Sequence, residues 1–282
     1  RQACCDIVRF WMDKGVKGFR FDVINLISKP DVYEDDLTGD GHRFYTDGPR
    51  IHQFLHKLNR GSFGRDPEVI TVGEMASSDL ENSIRYTNPQ SEELSMIFDF
   101  HHLKVDYPSG NKWEIQPFRF HDLKNNLFSW QQEMERGGGW QSLFWYNHDQ
   151  PRIVSRIGDD GKYRVESAKM LATALHGLRG TPCIYQGEEI GMTNAGFHDI
   201  SQYRDIETLN VYNEMKLKGK TDEEIYRSLG RKSRDNARTP MQWDNTENAG
   251  FTDGTPWIEV NPNCAWINTL DREDPDSIFQ HY

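Results

Sequence analysis

Gly18-Phe-Arg-Phe-Asp22 is a short apolar run that closes on a carboxylate, and the same design recurs further along the chain. Val69-Ile-Thr-Val-Gly-Glu74, Leu94-Ser-Met-Ile-Phe-Asp99, Leu143-Phe-Trp-Tyr-Asn-His-Asp149 and Pro182-Cys-Ile-Tyr-Gln-Gly-Glu188 follow it. Runs of this kind, rich in β-branched and aromatic residues, predict buried strands. Between them lie segments of helical period, and strands alternating with helices imply the α/β class with a parallel sheet. A (β/α)8 TIM barrel is the expected architecture, because it collects the C-terminal ends of its strands into one mouth. Carboxylates delivered to one mouth suit chemistry that needs acids, bases and cation stabilisation, as glycoside hydrolysis does.

The helices are legible from their stripes. Ile7, Phe10, Trp11 and Lys14 share one face of an opening helix that stops at Gly15. Thr46-Asp-Gly-Pro49 caps a second, with Ile51, Phe54, Leu55 and Leu58 at helical spacing. Leu123, Leu127, Trp130 and Met134 form a further stripe, and so do Val165, Ala168, Leu171, Ala172, Leu175 and Leu178. Each stripe is read as a core face. Thr221-Asp-Glu-Glu224 is a capping box that starts a helix in a charged stretch. Residues 190–264 break the rhythm and predict an extended irregular loop region with a small helical insert, of the kind that shapes a barrel's pocket. A closed barrel of this type has eight strands, so the chain is expected to be a fragment carrying about strands 4 to 8. Ser277-Ile-Phe-Gln-His-Tyr282 has the look of a helix beginning.

The bulk composition narrows the partners. The chain has 282 residues, is 36% hydrophobic and carries a formal charge of −11, which argues against nucleic acid and anionic membrane surfaces. Neither a membrane-length apolar run nor a signal-peptide pattern is visible. Cys4, Cys5, Cys183 and Cys264 read as reduced thiols, Cys183 within a buried strand, and point to a cytoplasmic location. No Cys/His spacing suits zinc, and Asp159-Asp-Gly161 reads as a plain turn, so no metal or other cofactor is expected.

Four segments, in order, carry a family resemblance. Gly18-Phe-Arg-Phe-Asp22-Val23, Val72-Gly-Glu74, Asn147-His-Asp149 and Gly180-Thr-Pro-Cys-Ile-Tyr-Gln-Gly-Glu-Glu189 resemble the signature regions of the α-amylase superfamily of retaining glycoside hydrolases. Ser233-Arg-Asp-Asn-Ala-Arg-Thr-Pro-Met-Gln-Trp-Asp244 is similar to its oligo-1,6-glucosidase branch. The resemblance covers essentially the whole chain. It implies that residues 1–282 are the C-terminal part of a catalytic barrel, with the N-terminal strands, an inserted loop domain and a C-terminal β domain absent. It further implies Asp22 as nucleophile, Glu74 as general acid/base with a raised pKa, and Asp149 as a third carboxylate gripping the reacting sugar. Arg20, on the same strand face as Asp22, is expected to hold that carboxylate in place. His148 is expected to bond the sugar, and Arg234 to close the pocket over its non-reducing end. Asp99, Glu188 and His176 are read as structural.

Substrate expectations rest on finer likeness. Val23 is similar to branches acting on α-1,6 and related linkages. Phe100-His-His-Leu-Lys-Val-Asp-Tyr-Pro-Ser-Gly-Asn-Lys-Trp113 looks like the trehalose-6-phosphate hydrolases. That resemblance implies a phosphorylated disaccharide as substrate. Lys104 and Lys112, with His101, would supply positive charge for the phosphate. An oligo-1,6-glucosidase or dextran glucosidase is the alternative. The non-catalytic heavy-chain ectodomains of some amino-acid transporters are a remote one, disfavoured because all three carboxylates are kept.

Overall fold

The computed structural model describes every residue except Arg1 and Ala76. The chain divides into two compact units. The first contains Arg1–Val105, Phe120–Leu143 and Arg179–Thr181, and the second contains Asp106–Arg119, Phe144–Leu178 and Pro182–Tyr282.

The first unit follows the expected alternation. Its elements are α1 (Gln2–Asp13), β1 (Gly18–Phe21), α2 (Ile51–Gly61), β2 (Ile70–Met75), α3 (Leu80–Thr87), β3 (Met96–Asp99), α4 (Phe120–Gly137) and β4 (Ser142–Leu143). β1, β2 and β3 form a parallel sheet in that order, with Gly18 opposite Ile70 and Val72 opposite Met96. A parallel bridge from Ile97 to Gln141 continues the sheet toward β4. Parallel pairing forces the crossover helices, and these cover a core of Val8, Ile51, Leu55, Val69, Tyr86 and Ile97, with Phe19 and Phe21 packed on it. Asp79 caps α3 by accepting from the Asn82 N–H, so the connection before β3 is helical.

Two expectations change here. The buried face of α1 is Cys5 and Val8, with Met12 packed on the core, whereas Ile7, Phe10 and Trp11 are exposed. The neighbouring stripe of the same helix meets α2, and since both stripes carry apolar residues the sequence does not announce which of them packs. The last two strands are also shorter than their apolar runs: β4 ends at Leu143, and β5 is only Thr181–Pro182. Phe144, Trp145 and Tyr146 are buried without ladder pairing, and the Trp145 indole donates to the Leu171 carbonyl instead. Cys183 therefore lies beyond the strand and is half-buried; Cys5 is the buried thiol, and none of the four cysteines is in a disulfide.

The second unit contains α5 (Ile153–Ile157), α6 (Arg164–His176), α7 (Ile206–Leu217), α8 (Asp222–Lys232) and α9 (Ile278–His281). Residues 190–264 are thus more ordered than a loop with a small insert. Asp205 caps α7, and the Thr221–Glu224 capping box opens α8 as expected. Their apolar faces meet Phe197, Tyr203, Ile225, Leu229 and Ile258 in a core of their own. α9 starts at a Ser277 cap. Asp159 accepts from the Gly161 and Tyr163 N–H groups, which is the plain turn expected there.

Candidate active site

In the first unit, the ends of adjacent strands bring Arg20, Asp22 and Glu74 together. Arg20 Nη1 donates to Asp22 Oδ1 at 2.8 Å, and its Nη2 donates to Glu74 Oε2. One guanidinium therefore bridges both carboxyl groups, in the fork geometry that arginine offers and lysine does not. Asp22 is exposed, while Glu74 is buried. Burial raises the Glu74 pKa; the Arg20 charge opposes that rise, and the Asp22 carboxylate beside Glu74 adds to it. The environment thus favours a proton on Glu74, as a general acid requires.

β1 stops at this point for a local reason. Val23 has φ 36° and ψ 43°, a left-handed conformation rare for a β-branched residue, and it leads into a 3-10 turn at Ile24–Leu26. Such a backbone costs on the order of 1–3 kcal/mol and is kept where surrounding structure imposes it. The strained residue is the one directly after Asp22.

His101 and Lys104 occupy the 3-10 turn after β3. His101 Nε2 donates to the Ser78 carbonyl at 2.8 Å, and its ring lies over Trp130 at 4.6 Å. Lys104 is exposed and its ammonium reaches Ser77 Oγ at 3.4 Å, just beyond the strand that carries Glu74. Asp99 is structural as expected: it accepts from Gln141 Nε2 at 2.7 Å and from the His101 N–H at 3.2 Å.

The second unit assembles a different group around Asp149. The Asp149 N–H donates to Asn147 Oδ1 at 2.8 Å, which fixes the loop in a local turn. Asp149 Oδ1 accepts from Arg238 Nη2 at 2.5 Å and from Arg234 Nη1 at 3.4 Å, while His148 Nε2 is 3.6 Å from Oδ2. Burial alone would raise the Asp149 pKa, but His148, Arg238 and Arg234 outweigh it and hold the carboxyl below its ordinary value. Arg238 also donates from Nε to the His148 carbonyl at 2.9 Å and reaches Asp205 at 3.3 Å.

Lys112 belongs to this second group. Its ammonium is 2.7 Å from Glu207 Oε2, and Arg234 Nε donates to the same oxygen at 2.8 Å. Burial lowers the Lys112 pKa against the pull of Glu207. The positive charge expected from Lys112 is therefore countered by a carboxylate that sequence reading did not single out. Arg238 and Glu207 are the functional candidates missed. Arg238 stands inside the quoted 233–244 stretch, four residues after Arg234; Glu207 reads simply as an acidic first-turn residue of α7.

Among the described residues no cluster of three or more His, Cys, Asp or Glu side chains is arranged to hold a metal, and no helix is long and apolar enough to cross a membrane.

The first unit thus places two carboxyl groups on adjacent strand ends under one arginine, and the second holds a carboxylate between two arginines. The α-amylase catalytic domain family matches residues 1–282, and the chain belongs to that family. The fold of that family is the (β/α)8 TIM barrel, and this chain's strands β1 to β5 and their helices are the part of it that the strand–helix alternation leads one to expect. The chain is 58% identical to the trehalose-6-phosphate hydrolase of Bacillus subtilis (strain 168), an alignment covering 100% of the chain and 50% of that protein. It is 52% identical to an oligo-1,6-glucosidase of Parageobacillus thermoglucosidasius, covering 100% and 51% respectively. The crystal structure of Bacillus licheniformis trehalose-6-phosphate hydrolase superposes with a TM-score of 0.95 at 59% identity, covering 100% of this chain and 51% of that one. The chain spans about half the length of the curated relatives it matches.

Proposed function

We propose that the whole protein is a retaining α-glycoside hydrolase that splits α,α-trehalose 6-phosphate into glucose and glucose 6-phosphate. The observation that carries this reading is the Arg20 fork, which holds exposed Asp22 and buried, proton-favouring Glu74 in one arrangement. Asp22 attacks the anomeric carbon while Glu74 gives its proton to the glycosidic oxygen, and glucose 6-phosphate leaves. Glu74, now a base, takes a proton from water as that water displaces Asp22, and glucose leaves with its configuration retained. Asp149 and His148 bind the hydroxyls of the reacting sugar, and Arg234 closes over its non-reducing end. Lys104 is the favoured phosphate donor, with His101 beside it, since the Lys112 ammonium is already engaged by Glu207. The phosphorylated substrate is supported by the names of the relatives at 58% and 54% identity. Four cysteines outside any disulfide fit a cytoplasmic enzyme.

The second reading is an oligo-1,6-glucosidase, favoured by the Lys112–Glu207 pair, which leaves Lys112 less available to a phosphate. Initial rates on trehalose 6-phosphate and on isomaltose separate the two. A kcat/KM preference for the phosphorylated sugar supports the first reading, and a preference for isomaltose replaces it with the second.

A further inference from the structure

Arg152 is fully buried in the second unit, three residues after Asp149, and its hydrogen bonds go to neutral acceptors. Nε donates to the Asn236 carbonyl at 3.1 Å, and Nη1 donates to the Gln186 carbonyl at 2.6 Å and to the Tyr146 hydroxyl at 3.2 Å. The guanidinium also faces the Tyr146 and Tyr185 rings at 5.8 and 5.5 Å. Its own N–H donates to Asn194 Oδ1 at 2.9 Å. Gly187, at φ 87°, leaves room for it: a Cβ there would lie 2.9 Å from Nη1.

Its charge acts on the nearby Glu188 and Glu189 carboxyls, yet its hydrogen bonds go to neutral groups; burying a cation on those terms is expensive, and an apolar residue of similar volume would serve packing at lower cost. What the guanidinium supplies is a rigid fork that ties three stretches of chain. One is its own loop, which holds Asp149. Another is the segment before Glu188. The last is the 3-10 turn Arg234–Ala237, which begins with Arg234 and is followed by Arg238. A parallel tie, from the Tyr185 hydroxyl to the Ala237 carbonyl at 3.0 Å, anchors the same turn. Arg234 and Arg238 are the cations that reach Asp149 Oδ1.

We propose that Arg152 is a positioning residue that sets the height of the Arg234–Arg238 turn against Asp149 and thereby the placement of the Asp149 carboxylate. The proposal rests on the glycosidase reading above. It acts on transition-state binding, because a carboxylate displaced by a fraction of an ångström loses its grip on a sugar whose charge is still developing. Lysine at this position can reach one carbonyl but cannot span two.

The test uses the whole protein with turnover expressed per active site, counted by covalent trapping with a slow fluorinated glucosyl substrate. Arg152→Lys is expected to lower kcat per site on the order of 100-fold, the scale of a small misplacement, with KM moving far less. Arg164→Lys is the control, since Arg164 Nη1 likewise bonds two carbonyls, those of Ile190 and Gly191, neither of which belongs to the turn that begins with Arg234. It is expected to lower the melting temperature and leave kcat per site unchanged. Wild-type kcat per site in Arg152→Lys, or an equal loss in Arg164→Lys, overturns the proposal. If Arg152→Lys does not fold, Tyr185→Phe carries the test through its lost hydroxyl tie: a severalfold fall in kcat per site supports the proposal and an unchanged value overturns it. A wild-type protein inactive on every α-glucoside fails the glycosidase reading first, and the positioning role falls with it.

Discussion

Glu74→Gln isolates proton transfer from everything else at the site. The amide is nearly isosteric, and its oxygen can still accept from Arg20 Nη2, so the fork over Asp22 survives and the fold is expected to persist. The lost group is a buried carboxyl whose environment favours the proton. General acid–base catalysis contributes about 100- to 10,000-fold, equivalent to roughly 3–5 kcal/mol of barrier. The variant is expected to lose rate within that range on a natural disaccharide. On an aryl glucoside with an activated leaving group the first step needs no proton, so the covalent intermediate forms and the second step becomes limiting. Added azide, which needs no base, then restores turnover and gives the α-glucosyl azide. The pH profile provides an independent reading. Activity requires protonated Glu74, so the wild-type rate falls as pH rises through its raised pKa, and the glutamine variant loses that alkaline limb. Equal losses on activated and natural substrates, with no azide rescue, would show that Glu74 is not the acid/base.

Lys104→Ala is expected to reduce kcat/KM on trehalose 6-phosphate by roughly 10- to 150-fold, from about 1.5–3 kcal/mol for a charge-assisted bond, and to spare an uncharged aryl glucoside. Lys112→Ala is expected to impair both substrates, because Glu207 then keeps only Arg234 as its cationic partner at that oxygen; steady-state kinetics on the two substrates check both. Asp106 holds Arg156 at 2.6 Å and Lys232 at 2.8 Å in a buried cluster, so Asp106→Asn leaves two buried cations and costs about 3–5 kcal/mol in denaturant unfolding. Glu188, buried and accepting from the Tyr282 hydroxyl at 2.9 Å, has its pKa pushed up to about 8 from an ordinary 4.5. Between those values the unfolded chain ionises while the folded one keeps its proton, so this residue's contribution to stability is complete below the lower pKa and falls as pH rises toward the upper one. Glu188→Gln is therefore expected to raise the melting temperature relative to wild type at pH 8, with the gain vanishing near pH 4.5.

The first strands were legible because each apolar run there coincides with a paired strand and stops at its carboxylate. Val23 turns the chain out of β1 directly after Asp22, and Glu74 lies one residue before the end of β2. The runs after residue 143 look the same in sequence, yet Phe144, Trp145 and Tyr146 are buried by side-chain packing and not by a ladder; burial and pairing leave one sequence signature. The face of α1 was misjudged because Ile7, Phe10 and Trp11 are as apolar as the stripe that is buried. In the candidate site, Arg20 was readable from its period-2 relation to Asp22. Arg238 and Glu207 were not, because their partners lie 89 residues away at Asp149 and 95 residues away at Lys112, and such choices are made only by the tertiary fold.

Covalent trapping tests the central claim most directly. The whole protein, incubated with a slow fluorinated α-glucosyl fluoride and digested, is expected to carry one fluoroglucosyl group on the peptide containing Gly18-Phe-Arg-Phe-Asp22. Fragmentation should place it on Asp22, and Asp22→Asn should abolish both the label and turnover. A label on another carboxylate, or normal turnover by Asp22→Asn, would contradict the assignment of the nucleophile and the mechanism built on it.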